Sequence, residues 1–428
     1  MSRGGRLLIL PLAWLAASAA VAQGVLTLEF SFSNPGARSL GFGGAFVALA
    51  DDATAAYANP AGLNQLTRPE ISLEGRSWTY STPFVVGGRA SGFPTGLGID
   101  TTPGLRWDES TTDFTGLSFL SFVYPRKPWS LALYRHQLAK FSSAFATDGL
   151  FAEGSTYLDT DRWLDQPGTT DLDISSWGFS AARRITDSLS LGLGLTYLEI
   201  NVTIDQPAYL PDNDPREAFF SANSYLPDRS PFRRTTRAED SAFGLVAGLL
   251  WRVTDRWSLG GSFRSSFSAT TVWEGRPGPA GTPDNLVDFR LMGDWEFPPV
   301  FGLGASYRSP DGRLTASFEW DFVRYSVIFG GNPEVTIRDA NEIHLGGEYA
   351  FLQNRPVLAL RLGVWLDPDH RIRATQGDDL IQAILSPGTD ELHYALGFGA
   401  AFERFQIDLG ADLSKLRDTI SLSAIFSF

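Results

Sequence analysis

The residue types that do chemistry are few in this chain, and their spacing suits binding better than catalysis. Cys is absent, so there is no thiolate nucleophile, thiolate metal site or disulfide framework. The four histidines are His136, His344, His370 and His393, and none stands in a metal-ligating spacing such as H-E-x-x-H. No local Ser–His signature appears, although a triad assembled from distant residues stays open. Gly41-Phe42-Gly43-Gly44 is glycine-rich but lacks the Lys and the strand–helix setting of a phosphate loop. The expectation is a protein that is not an enzyme, with no metal and no cofactor. What remains is charge set among apolar neighbours. Arg264, Arg361, Arg135 and His136 are candidate partners for an anionic head group such as a carboxylate. Glu319, Asp321, Glu342, His344 and Glu348 recur in the same alternating register, so a ladder of internal ion pairs is the competing reading.

The elements that position these residues are strands. Ile420, Leu422, Ala424, Phe426 and Phe428 alternate with Ser421, Ser423 and Ser427, and Phe405, Ile407, Leu409, Ala411 and Leu413 alternate with Gln406, Asp408, Gly410 and Asp412. A strand that is apolar on one face and small or polar on the other suits lipid outside and a polar lumen inside. The pattern predicts about 14 strands, near 69–80, 116–124, 129–142, 172–185, 189–203, 241–253, 257–272, 287–308, 313–328, 341–352, 356–366, 391–402, 405–413 and 419–428. Short turns alternate with longer connections, as in bacterial barrels. Pro298 and Pro299 fall inside the eighth segment and should bend it. The fold class is therefore all-β: a transmembrane antiparallel barrel of about 14 strands with its N-terminal segment as a plug in the lumen.

Composition supports this class. Trp 12, Tyr 12 and Phe 31 make the chain strongly aromatic. Arg3 and Arg6, the apolar run from Leu7 to Ala20 and the small-x-small site Ala20-Val21-Ala22 read as a signal peptide over 1–22. The apolar run is too short for a spanning helix, which needs about 20 residues, and no Cys follows the cleavage site to accept lipid. The net charge is −13, and removing Arg3 and Arg6 makes it −15. That argues against nucleic acid, which needs a basic face. No stretch after the signal is long and apolar enough for a helical span, and lipid requires every backbone group to be paired internally, so a membrane form must be a barrel. A soluble all-β protein is the competing class.

Residues 23–68 lack the strand alternation and carry NPGARSLGFGGAFVALADDATAAYANPAGL from Asn34 to Leu63. Leu40, Phe42, Phe46, Val47, Leu49 and Leu63 need burial, and the glycines allow close approach to a wall. A plug inside the barrel of 69–428 meets both needs. Asp51 and Asp52 could cap a short Ala-rich helix, and Asn59-Pro60 would stop it. The run G-G-A-F-x-A-x-A-D-D-A-x-A-x-x-x-N-P-A, from Gly43 to Ala61, resembles the hatch of the FadL/TodX family of outer-membrane hydrophobic-substrate channels. The resemblance implies that Asp51, Asp52, Asn59, Pro60 and Ala61 hold the hatch in the wall. It implies that Phe426 and Phe428 form the terminal signal read by the barrel assembly machinery.

Two further features acquire meaning from that resemblance. The third strand loses its alternation between Leu133 and Phe141, where the family has an inward kink that opens the wall sideways. A bulge there would turn Arg135 inward; a regular strand whose polar end has reached the interface is the alternative. The segment 205–240 places Phe219, Phe220, Tyr225, Leu226 and Phe232 beside several Arg, which reads either as a capture site for a hydrophobic substrate or as loop packing and contact with lipid head groups. The expected function is passive uptake of hydrophobic molecules, foremost long-chain fatty acids, across the bacterial outer membrane, with membrane lipid as the surroundings and no oligomer required. The alternative is a docking or shuttle component of a protein secretion system.

Overall fold

Fourteen wall strands run antiparallel around a closed ring in the computed structural model, which describes residues 32–154, 160–210, 225–226, 229–277, 289–330, 333, 335–376, 382, 384–385 and 388–428. The signal segment, Phe219 and Phe220 lie outside the described residues. The wall consists of β1 (Glu70–Arg89), β2 (Leu105–Arg126), β3 (Trp129–Thr147), β4 (Gln166–Arg184), β5 (Leu189–Ala208), β6 (Phe232–Arg252), β7 in two pieces (Trp257–Arg264 and Phe267–Pro277), β8 in two pieces (Phe289–Phe297 and Val300–Arg308), β9 (Leu314–Val323), β10 (Ala340–Phe351), β11 (Val357–Asp367), β12 (Glu391–Ala401), β13 (Phe405–Leu413) and β14 (Arg417–Ser427). The ring closes where β1 pairs with β14, from Glu70↔Ser427 to Tyr80↔Arg417.

Alternation sets which face is which. Ile420, Leu422, Ala424 and Phe426 of β14 are exposed, and Thr419, Ser421, Ser423 and Ile425 between them are buried. The same phase holds along β5, where Leu191, Leu193, Leu195 and Tyr197 face out. An exposed apolar girdle of this extent is a lipid contact, not a soluble surface. At the seam of the ring, the Phe428 N–H donates to the Pro69 carbonyl at 3.0 Å, and Phe426 stands outward opposite Ile71 and Phe405.

Two differences from the expected strands have physical causes. First, β1 to β6 run on far past their expected outer ends, to 20, 22, 19, 19, 20 and 21 residues. A tilted spanning strand needs only about 9–11 residues, so their outer ends carry on into polar sequence that period-two apolarity cannot mark. Phe232 is thereby the first residue of β6 and not a loop residue. Second, β7 breaks at Ser265-Ser266, beside the expected break of β8 at Pro298-Pro299. Proline removes a ladder donor, and β7 bends with its neighbour.

The girdle makes a quantitative demand. Leu193→Arg, in the middle of the outward run Leu191, Leu193 and Leu195, should lower stability by about 2–4 kcal/mol if that run sits at the bilayer midplane. Denaturant unfolding in lipid vesicles measures this; a loss below about 1 kcal/mol would place the run at an interface.

Candidate functional site

The lumen is filled by residues 32–68, which contain only short helical pieces: α1 (Ala37–Gly41), α2 (Ala55–Ala58) and a 3-10 turn at Pro60–Gln65. So little regular structure leaves many backbone groups to be paired elsewhere. The inward side chains of the wall do this. Glu319 of β9 accepts the N–H groups of Phe46 at 2.6 Å and Val47 at 2.7 Å through one oxygen. Glu74 of β1 accepts the Gly36 N–H at 3.0 Å. Ser180, Ser306 and Arg184 donate to the carbonyls of Ala56, Ala48 and Asn64.

Asn59 does two jobs at once. Its extended backbone ends α2, and its Oδ1 accepts from the Ala61 N–H at 3.2 Å to start the 3-10 turn, with Pro60 in the first position. Its Nδ2 donates to the Val47 carbonyl at 2.8 Å and to the Leu249 carbonyl of β6 at 3.0 Å. The wall opposite must be Gly: a Cβ at Gly248 would lie 2.1 Å from Asn59 Oδ1, and one at Gly192 would lie 2.3 Å from the Ala61 nitrogen. Asp52 does not cap α2 directly. Its Oδ1 accepts from the Thr54 N–H at 2.9 Å, forming a turn ahead of the helix. Burial pushes the Asp52 carboxyl above the usual carboxylate range, against the pull of Arg38. Asp51 pairs with Arg38 and, at 3.2 Å, with Arg308. Burial works against the Arg38 charge, but Asp51, Glu348 and Asp52 outweigh it and hold its pKa above the ordinary value.

A cavity lies between the plug and the wall. Trp78, Tyr80, Leu138, Val300, Val323 and Trp365 give it an apolar surface, and Lys140, Arg264, Asp321, Glu342, His344 and Arg417 give it charge. Of the basic residues singled out from the sequence, Arg264 reaches this cavity. Its Nη1 donates to Asn34 Oδ1 at 3.2 Å, its guanidinium lies 5.2 Å over the Tyr57 ring, and its Nε has no hydrogen-bond partner among the described residues. Arg361 is committed elsewhere, to Glu348 and Asp408 at 2.7 Å each, so it belongs to the bracing ladder and not to a head-group site. His136 faces inward but packs on Tyr57 and Phe119, at 4.5 and 5.8 Å between rings, away from the cavity lining. Sequence reasoning missed Arg417, which stacks 5.6 Å over Trp365 and has an unpartnered Nε. Its place before the last apolar run gave no signal that it turns inward.

Beside the cavity the ladder between β2 and β3 stops short. β2 pairs with β3 only from Arg126↔Trp129 to Phe119↔His136. Beyond that point β2 stays paired to β1 as far as Leu105↔Gly88, and β3 stays paired to β4 as far as Thr147↔Gln166, but no ladder joins β2 to β3. A bulge between Gln137 and Ala139 re-phases β3, so Ala139, Phe141, Ser143 and Phe145 face the lumen. The bulge falls after Arg135. Arg135 therefore keeps the outward register, opposite Leu120 and Trp177, and is no lumen residue. Its Nη1 caps the unpaired Leu117 carbonyl of β2 at 2.6 Å. Further up, Lys140 lies 5.5 Å over the Phe114 ring and the Ala144 N–H donates to Ser110 Oγ at 3.0 Å. Side chains alone span this seam, and Gln137 to Lys140 line both it and the cavity.

In the outer segment, Tyr225 donates to the Thr147 carbonyl at 3.2 Å and meets the Tyr209 ring at 5.3 Å. Phe232 is buried under Arg234. Phe232 is covered by its neighbours, whereas Tyr225 and Leu226 both stay exposed.

A closed 14-stranded barrel with a lipid-facing girdle and its own N-terminal segment in the lumen defines an integral outer-membrane barrel with an internal hatch. The model of the family described as outer membrane protein transport protein (OMPP1/FadL/TodX) matches residues 13–272, and the chain belongs to that family of transport proteins, which are not enzymes. Outer membrane protein P1 of Haemophilus influenzae is 26% identical over 279 residues, which span 58% of this chain and only 56% of that protein. Among solved structures, the fold matches a monoaromatic hydrocarbon channel, CymD, with a TM-score of 0.57 at 16% identity, covering 94% of this chain and 99% of that one. It matches the Ralstonia pickettii toluene transporter TbuX with a TM-score of 0.55 at 16% identity, covering 93% and 99%. The P. putida toluene transporter TodX gives 0.55 at 14% identity, covering 93% and 99%.

The plug contacts carry a test. Glu319→Ala removes the acceptor of two buried N–H groups, each costing about 1–3 kcal/mol when left unpaired. Liposomes holding this variant should admit small sugars faster than those holding the parent. Equal swelling rates would show that the plug stays seated without this carboxylate.

Proposed function

We propose that the protein passively conducts hydrophobic molecules inward across the outer membrane. Cargo lands on the outer segments, Leu226 among them. It then enters the cavity beside the plug and leaves sideways between β2 and β3. The observation that carries this reading is the missing β2–β3 ladder next to the cavity. A lateral route lets apolar cargo pass into lipid without crossing water, which is where the hydrophobic effect favours it. Hatch residues Asp51, Asp52, Asn59, Pro60 and Ala61 keep polar solutes from following. Phe426 and Phe428, at the closing seam of the ring, suit the terminal signal that assembly machinery reads.

The cavity favours an amphiphile with an anionic head, such as a long-chain fatty acid, over a neutral arene. Arg264 and Arg417 each present an Nε without a hydrogen-bond partner among the described residues, and a carboxylate would supply that acceptor. Barrels of the same fold include a monoaromatic hydrocarbon channel and a toluene transporter, so toluene is the proper comparison cargo.

Two measurements test this. Arg264→Gln with Arg417→Gln should weaken fatty-acid binding about tenfold or more, the equivalent of one charge-assisted hydrogen bond, and leave toluene uptake unchanged. Equal losses for both cargoes would refute a head-group role. For the exit, Cys at positions 114 and 140, joined by a short bis-methanethiosulfonate linker, should stop uptake of a hydrophobic tracer until reductant is added. The absence of native Cys keeps that readout clean. Undiminished uptake after full cross-linking would rule out the lateral route.

A further inference from the structure

Two neighbouring strands bring four titratable side chains together, and three of them, Asp321, Glu342 and His344, line the cavity. Glu319 and Asp321 alternate inward on β9, and Glu342 and His344 alternate inward on β10. The register sets Asp321 directly opposite Glu342, and Glu319 directly opposite His344. Like charges in direct opposition across a ladder repel. Here the nearest fixed cation, Arg264, stands 4.0 Å from Asp321, beyond hydrogen-bond distance.

His344 decides how this cluster can be completed. Its Nδ1 lies 2.7 Å from the Gly43 carbonyl of the plug. A carbonyl only accepts, so Nδ1 carries the proton. Nε2 is then the atom aimed at the carboxylates. It lies 3.5 Å from Glu342, has no hydrogen-bond partner among the described residues, and the residue is 7% exposed. Asp321 Oδ1, in a residue 5% exposed, also lacks a partner among the described residues. An imidazole whose far nitrogen is fixed by a backbone carbonyl is the arrangement that orients a metal-ligating histidine. One ligand atom each from Asp321, Glu342 and His344 fall within 4.8 Å of one another. Zinc–ligand distances of about 2.0–2.2 Å need a further small approach, which rotation of the two carboxylates about their terminal bonds provides.

We infer that Asp321, Glu342 and His344 form a binding site for a first-row divalent cation, Zn2+ as the representative ion. One imidazole nitrogen and two carboxylate oxygens suit a borderline metal, whereas Mg2+ prefers an all-oxygen shell. Such an ion offsets the opposed carboxylates. It also fastens the plug, because His344 holds Gly43 and the adjoining Glu319 holds Phe46 and Val47. The site shares the cavity lining with Arg264, but its Zn2+ titration needs no cargo.

The test uses the full chain, purified in detergent, stripped with chelator and titrated with Zn2+ against a fluorescent competitor. One Zn2+ per chain should bind. Glu342→Gln and Asp321→Asn, which keep side-chain shape and touch no plug backbone, should each weaken binding tenfold or more, and the double variant should abolish it. The heat-dependent gel mobility of folded barrels confirms that each variant is assembled. Zn2+ should raise the thermal midpoint of the parent and not of the double variant. Protonation of His344 is the rival way to close the cluster, and a cluster closed by its own imidazolium takes up no stoichiometric Zn2+. That result, or equal Zn2+ affinity in parent and double variant, overturns the assignment. Displacement of Zn2+ by equimolar Mg2+ overturns the choice of metal class.

Discussion

A segment with almost no regular structure sits inside a barrel, and its backbone polar groups must find partners there. Everything else in the lumen answers that requirement. Buried N–H and C=O groups left unpaired are costly, and the plug's own turns pair only part of its backbone. The wall therefore spends its inward positions on short hydroxyls and long carboxylates placed where plug groups point, such as Ser180 under Ala56 and Glu319 under Phe46 and Val47. Where the plug backbone itself meets the wall, glycine is the residue that fits. A Cβ at Gly346 would lie 2.3 Å from the Phe42 carbonyl oxygen.

The charges of the lumen sort by the same logic. Arg38, Asp51, Glu348, Arg361 and Asp408 form a linked network that joins α1 to β10, β11 and β13. Breaking one partner of such a buried set leaves an uncompensated charge, so these residues act as a brace. The cavity side is less complete. Arg264 and Arg417 keep free Nε groups, and Asp321 and His344 keep free ligand atoms. Incomplete pairing next to a cavity is where a ligand gains most, because it completes contacts that the fold leaves open.

The seam between β2 and β3 depends on a single inserted residue. The bulge at Leu138 turns the strand, re-phases everything beyond it and withdraws β3 from β2 while β4 keeps it paired. The unpaired edge is not bare. Arg135, Lys140 and Ser110 cover it with side-chain contacts, which part more readily than a backbone ladder does. An opening held by such contacts beside an apolar cavity can serve as a route, and the same bulge residues line both.

The strand count and the two faces of each strand were legible in the sequence because both depend on local order, the period of two. The loss of phase after Leu133 was legible too, but its direction was not. Whether a bulge falls before or after Arg135 decides which face the guanidinium takes, and only pairing with β2 and β4 fixes that. The outer halves of β1 to β6 were missed because polar strands outside lipid carry no apolar alternation. Pairings across the lumen lay beyond sequence reach for a different reason. Glu319 and Asp321 on one strand, and Glu342 and His344 on the next, each read as ordinary inward residues. Their meeting depends on the register between β9 and β10, and the free nitrogen of His344 depends on where the Gly43 carbonyl of the plug comes to rest. Local periodicity determines the kind of element a segment forms; register and docking, which join residues some three hundred positions apart, determine which of its side chains are left free to bind.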